Sequence, residues 1–201
     1  MRIDLDGRSA AIIGRETAVI RAAAAALAAN GAATRHHDLA AGMPAPPDVL
    51  VVGHALEPEA APDDHRALIS ATDRLGEAMA ERGSGRVIVL TTAMGLLPAR
   101  RHGAHAVAAA AVVAAMRGLA MRLGPSLQVN AVGAGAIAGE AEASLAAGSE
   151  AMLSHVALGQ PGTIADIVNA VLFLADPMNS YMTGQLLVVD GGWSAGYGRN
   201  F

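Results

Sequence analysis

The chain has no cysteine among its 201 residues, which excludes a disulfide, a thiolate metal site and a cysteine nucleophile, and accords with a reducing compartment. Charge is scarce too, with Asp, Glu, Lys and Arg making only 16% of the residues and a formal net charge of -4. No basic cluster interrupts the sequence, and this excludes nucleic acid and an anionic membrane surface as partners, because both select clustered cations. Met1 to Gly7 carries no basic stretch followed by an apolar one, so no export signal is read there. The longest apolar run, Ala106 to Met116, is shorter than the roughly 18 residues of a membrane span and reads as a buried helix. The expected location is the cytoplasm. His36, His37, His54, His65, His102 and His155 show neither HxxxH nor HxH spacing, so no metal site is expected.

What is present is apolar: 53% of the residues are hydrophobic, too many for a disordered chain, and the length suits a single domain over residues 1–201. Ser9 to Gly14 (SAAIIG) is a short apolar run closed by glycine, followed by an alanine-rich helix that stops at Asn30-Gly31. Ala32 to Asp38 is a second strand, and Asp48 to Gly53 (DVLVVG) a third, reached through a loop marked by Pro44, Pro46 and Pro47. The alternation continues through a helix from Asp64 to Arg82, a strand at Arg86 to Thr91, a helix from His105 to Leu123 and a strand at Leu127 to Val132. After a stretch rich in Ala, Gly, Ser and Glu between Gly133 and Gly162, it ends with a helix from Ile164 to Ala175 and a strand at Gln185 to Val189. Continuously apolar strands alternating with helices predict an α/β fold: a Rossmann-like, doubly wound, mostly parallel sheet in a three-layer α/β/α sandwich.

The stretch Gly159 to Trp193, GQPGTIADIVNAVLFLADPMNSYMTGQLLVVDGGW, with Val129-Asn130-Ala131-Val132 and Leu119-Ala120, resembles the short-chain dehydrogenase/reductase family, and the resemblance runs through nearly the whole chain. It implies a Rossmann turn of the form T-G-x-x-x-G-x-G, whose small residues let backbone N–H groups approach a pyrophosphate. Here the turn reads Ile13-Gly14-Arg15-Glu16-Thr17-Ala18-Val19-Ile20. Only Gly14 is kept, while Ala18 and Ile20 replace the other two glycines. The family's N-A-G becomes Gly53-His54-Ala55. Its Ser, Tyr and Lys, spaced by thirteen and then four positions, fall on Thr92, His105 and Ala109. The P-G after the sixth strand becomes Ala134-Gly135, and the threonine that contacts nicotinamide falls at Gly139. Asp38 and Asp48 are joined only by LAAGMPAPP, so one crossover of the family is expected to be deleted.

The resemblance therefore implies a degenerate member. Thr92, His105 and Ala109 are vestigial catalytic positions, and Gly14, Arg15, Ala18, Ile20, Asp38, Gly53 and Gly135 are vestigial cofactor positions. No cofactor is expected in this chain. In the family the helix matching His105 to Leu123 forms one dimer interface, and the last helix and strand form another. Alanines 106, 108, 109, 110, 111, 114 and 115 would let a partner helix pack closely. A chain that keeps assembly surfaces and loses its chemistry resembles the non-catalytic subunit of a heteromeric dehydrogenase, as in aminocoumarin antibiotic pathways. The expected partner is an active paralogue carrying NAD(P), such as a β-hydroxyacyl thioester dehydrogenase or ketoreductase, in a mixed dimer or tetramer, with a homo-oligomer as the other arrangement. Two other readings stand beside it: an NAD(P)-dependent oxidoreductase active by itself through Thr92 and His105, and a ligand-binding module using the vestigial cleft.

Overall fold

The computed structural model describes residues 1–38, 42, 44–56, 65–98, 102–139 and 153–196. Among the described residues six strands form one sheet: β1 (Ser9–Gly14), β2 (Ala33–His37), β3 (Val49–Gly53), β4 (Gly85–Thr92), β5 (Leu127–Ala134) and β6 (Leu186–Val189). They lie in the order β2-β1-β3-β4-β5-β6, and every neighbouring pair is parallel. The helices described over the sheet are α1 (Ala18–Ala29), α2 (His65–Glu81), α3 (Gly103–Leu123) and α4 (Ile164–Ala175).

Successive strand side chains point to opposite faces, so both faces need an apolar layer. Ile12, Val51, Leu90 and Val132 pack under α1 and α4. Ile13, Leu50, Val89 and Val129 pack under α2 and α3. Each fully buried Leu, Ile or Val on these faces contributes about 1.5–3 kcal/mol of transfer free energy. The 21-residue α3 is apolar enough, at a mean hydropathy of 1.6, to span a membrane by length and composition alone, but it lays Val112, Met116 and Leu119 against the sheet as a core helix.

No helix or strand lies between His37 and Val49 among the described residues. The short connection is tied at its end by Asp48. Its Oδ2 accepts from the Ser9 backbone N–H at 2.7 Å and the Ser9 hydroxyl at 2.8 Å, while Oδ1 accepts from Arg82 at 3.0 Å. Arg82, just past α2, also donates to the carbonyls of Pro46 and Pro47. One carboxylate thus joins the starts of β1 and β3 to the end of α2.

The residues that carry the family resemblance at the C-terminal end have local structural work. Asn130, buried within β5, donates to the Met182 carbonyl at 2.7 Å and accepts from Gln185 N–H at 3.0 Å, fixing the entry to β6. Asp190 accepts from Gly192 and Ser194 N–H groups at 2.9 and 2.8 Å. Gly191 and Gly192 have φ of +64° and +88° and leave no room for a Cβ against Val156 and Ala157.

Several boundaries differ from the sequence expectation. α3 begins at Gly103 rather than His105, because Ala106 N–H bonds the His102 carbonyl and adds a turn before the apolar run. β5 continues to Ala134, where Gly133 and Ala134 still pair with Val188 and Val189. Part of the stretch between Gly133 and Gly162, residues 140–152, lies outside the described residues, as does the expected helix start at Asp64.

Candidate functional site

In an open parallel sheet, ligands bind at the carboxyl ends of the strands where the strand order reverses. Here that point lies between β1 and β3. Gly14 ends β1 at φ +93°, and a Cβ on it would collide with the Gly53 carbonyl oxygen. Its glycine is therefore demanded by the neighbouring strand. The Arg15 N–H donates to the same Gly53 carbonyl at 3.0 Å, which carries the β1–β3 pairing one residue beyond the strand end. α1 then starts at Ala18, capped by Thr17, whose hydroxyl accepts from Ile20 N–H at 3.2 Å. The Ile20 side chain is 2% exposed, and its δ-methyl lies 2.9 Å from where a Cβ on Gly53 would stand. Ile20 thus fills the space over Gly53 between the two strand ends.

Beside this filled crevice lies a buried polar cluster. His54, the residue after β3, is 2% exposed, and its Nδ1 is 3.3 Å from the hydroxyl of Thr91, which is fully buried in β4. His105, in the first turn of α3, stacks on His54 with ring centroids 6.1 Å apart. An imidazole against a hydroxyl, oriented by a third group, is a geometry that can move a proton. Among the described residues no three His, Asp or Glu side chains are grouped so as to hold a metal ion.

The other expected positions separate. Thr92 ends β4, is 3% exposed, and its hydroxyl accepts from Met94 N–H at 3.3 Å, capping a one-turn 3-10 helix over Ala93–Gly95. Ala109 is fully buried on that turn, and a Cβ on Gly95 would stand 3.0 Å from the Ala109 backbone. Gly135 sits against Asp190, whose Cα would be 2.6 Å from a Cβ there. Gly139 has φ +84° near Ile164. Asp38 is exposed just past the edge strand β2.

The structure brings Gly14, Arg15, Ile20 and Gly53 into one place and His105 beside His54; Ala109 packs with Thr92's turn. Sequence reasoning placed His54 only at the N-A-G position and did not join it to Thr91 and His105. The signal was a histidine directly after a buried strand.

A family model described as Enoyl-(Acyl carrier protein) reductase matches residues 64–194. The chain belongs to the short-chain dehydrogenase/reductase family. Among curated members of that family, it is 38% identical over 113 residues to an uncharacterized oxidoreductase of Mycobacterium tuberculosis, a match covering 55% of this chain and 43% of that one. It is 42% identical over 117 residues to the peroxisomal 2,4-dienoyl-CoA reductase of Mus musculus, covering 55% and 40%. These matches span less than half the length of either relative. Among solved members, a structure described as an NAD(P)-dependent gluconate 5-dehydrogenase from Beutenbergia cavernae, with bound NADP, superposes with a TM-score of 0.78 at 26% identity, over 96% of this chain and 99% of the other. One described as a 2-deoxy-D-gluconate 3-dehydrogenase from Agrobacterium tumefaciens, also with bound NADP, superposes with a TM-score of 0.80 at 25% identity, over 96% and 98%.

Proposed function

We propose that this chain is a non-catalytic subunit of a mixed short-chain dehydrogenase/reductase assembly, paired with an active paralogue that carries the nucleotide. The observation that carries the reading is Ile20 packed on Gly53. A pyrophosphate binds at such a turn by lying against glycine backbone at a helix N-terminus. Ile20 takes up that approach, and Glu16, paired with Arg21 at 3.8 Å, adds a carboxylate to the same turn in sequence. The residues present do not fit a dinucleotide there. Composition supports the same reading: the chain contains no lysine, its 14 basic residues all being arginine. No lysine ammonium stands near Ala109 to hold a ribose or lower the pKa of an acid.

The outer face of α3 supports the assembly. Val107, Ala111, Ala114, Gly118 and Met121 follow one another at spacings of four and three residues, with Val107 70% and Met121 87% exposed. That is the spacing of a helix–helix seam. Ala106 and Ala109, first expected on such a face, point inward at 3% and 0% exposure, because the helix rotates its larger Val112 and Met116 onto the same side as them. β6 ends the sheet as an edge strand, and α4, which packs against β6, leaves Phe173 41% exposed. The match to a dienoyl-CoA reductase favours an acyl thioester as the substrate of the active partner, a β-hydroxyacyl thioester dehydrogenase or ketoreductase using NAD(P).

The test is calorimetric titration of the purified chain with NADH and NADPH, followed by co-expression with an intact paralogue. The reading expects no binding up to millimolar nucleotide and co-purification with the paralogue. Turnover of a carbonyl substrate by the chain alone, at the roughly 1–1000 s⁻¹ usual for enzymes, would sink it.

The His54–Thr91–His105 cluster favours a second reading, an oxidoreductase active by itself, in which Thr91 and His54 take the place beside His105 that was expected of Thr92, whose hydroxyl caps the Ala93–Gly95 turn. An imidazole titrates near neutral pH without help, whereas a phenol needs a cation beside it. Abolished turnover in His105→Ala, with folding intact, is its signature.

A further inference from the structure

The amino ends of the strands carry a second polar cluster that the reading above does not use. A cleft of about 110 Å³ opens there between Leu5, Arg8, Asp48, Ser84, Arg86 and Pro177. A water needs roughly 10–15 Å³ of such space, so the cleft has room for several waters or one small polar group. Arg86, at the start of β4, donates from one terminal nitrogen to the carbonyls of Pro177 and Asn179 at 3.2 and 3.3 Å. Its Nε–H is buried and meets no acceptor among the described residues. Leaving a charged donor buried and unmet is costly.

Arg8 lines the same cleft from the residue before β1. Burial first, and then the charge of Arg8, push the Arg86 guanidinium below its usual range against the opposing pull of Asp176. Asp48 also lines the cleft, but its carboxylate is committed. Oδ2 takes both donors of Ser9, Oδ1 takes Arg82 at 3.0 Å, and Arg8 is left at 3.9 Å. Among the charged side chains that line the opening, Arg8 and Arg86 thus outnumber Asp48.

Two guanidiniums lining one small cavity suit an oxyanion, because the planar fork donates in parallel to two oxygens. We infer that the cleft between Arg8 and Arg86 is a binding site for one small oxyanion, a phosphate or carboxylate group. The site lies at the opposite end of the strands from the Gly14–Gly53 crevice and stands whether or not the chain turns over substrate.

The test uses the full chain, labelled with ¹⁵N, and follows its arginine Nε–H resonances while inorganic phosphate or sodium acetate is added, with sodium chloride at matched ionic strength as the reference. The Arg86 Nε–H resonance shifts to saturation with one equivalent bound. Saturation by phosphate alone assigns a phosphate group, by acetate alone a carboxylate, and by both a site that accepts either. Arg8→Gln, at a side chain 51% exposed and so expected to fold, weakens the saturating anion at least tenfold. If neither anion moves the resonance more than chloride does, or if Arg8→Gln titrates like the parent chain, the inference is overturned. Assembly with a paralogue is read by co-purification and does not enter this test.

Discussion

His54 and His105 face one another at the carboxyl end of the sheet, their ring planes 26° from parallel, one carried by the end of β3 and the other by the first turn of α3. The contact joins two elements on which the family places its nucleotide and its acid, and it makes the division between structure and chemistry testable. In a mixed complex, His105→Ala is expected to change turnover less than about twofold. Steady-state kinetics check this; a loss of about 100-fold or more, the usual effect of removing a general acid or base, would move the function to the second reading.

Ile20 gives a stability test of the filled crevice. A side chain lining an open nucleotide cleft would be lost at little cost, but one 2% exposed and packed on Gly53 leaves a cavity. Ile20→Ala is expected to cost about 2–5 kcal/mol in urea denaturation.

Gly14 separates two reasons for a glycine. Its φ of +93° and the Gly53 carbonyl oxygen beside it make Gly14→Ala destabilising by at least the roughly 1–3 kcal/mol of a strained backbone. Thermal unfolding without nucleotide measures it, and an unchanged midpoint would return the glycine to a purely ligand-binding role.

Asp48 sets a pH dependence. Burial pushes its carboxyl up, but the hydrogen bonds from Ser9 and the charges of Arg82 and Arg8 outweigh this and hold its pKa below the ordinary value. A carboxylate with a lowered folded pKa stabilises fully above its unfolded pKa of about 3.9 and loses that contribution as pH falls through the folded value. Asp48→Asn is expected to cost about 1–3 kcal/mol at pH 7 through weakened pairing with Ser9 and Arg82. The gap between variant and parent then narrows below about pH 4, as denaturation curves at pH 7, 4 and 3 would show.

The α3 seam predicts an assembly phenotype without a folding one. Ala114 is exposed on the helix, so Ala114→Arg should leave the melting temperature of the isolated chain nearly unchanged and abolish co-purification with the paralogue. Retained co-purification would place the interface elsewhere.

Much of the fold was legible because the strands are short apolar runs and the helices carry their own stops. β1 and α4 have the expected boundaries, since Gly14 ends one and Thr163 caps the other with Asp166. β5 outran its apolar stretch because pairing with β6, a long-range partner, holds Gly133 and Ala134 extended. The His54 cluster was not legible because no local spacing joins residues that meet only when β3, β4 and the start of α3 are side by side.

The sequence by itself determined the alternation of strand and helix, the short link between Asp38 and Asp48, and the absence of any lysine, because these depend on composition and local period alone. Only the tertiary structure decided that Ile20 closes on Gly53, that Ala106 and Ala109 turn inward while Val107 and Met121 turn outward, and that Arg8 and Arg86 line one cleft. Those relations follow from strand order and from the rotation of each helix on the sheet, which are set by packing between residues distant along the chain.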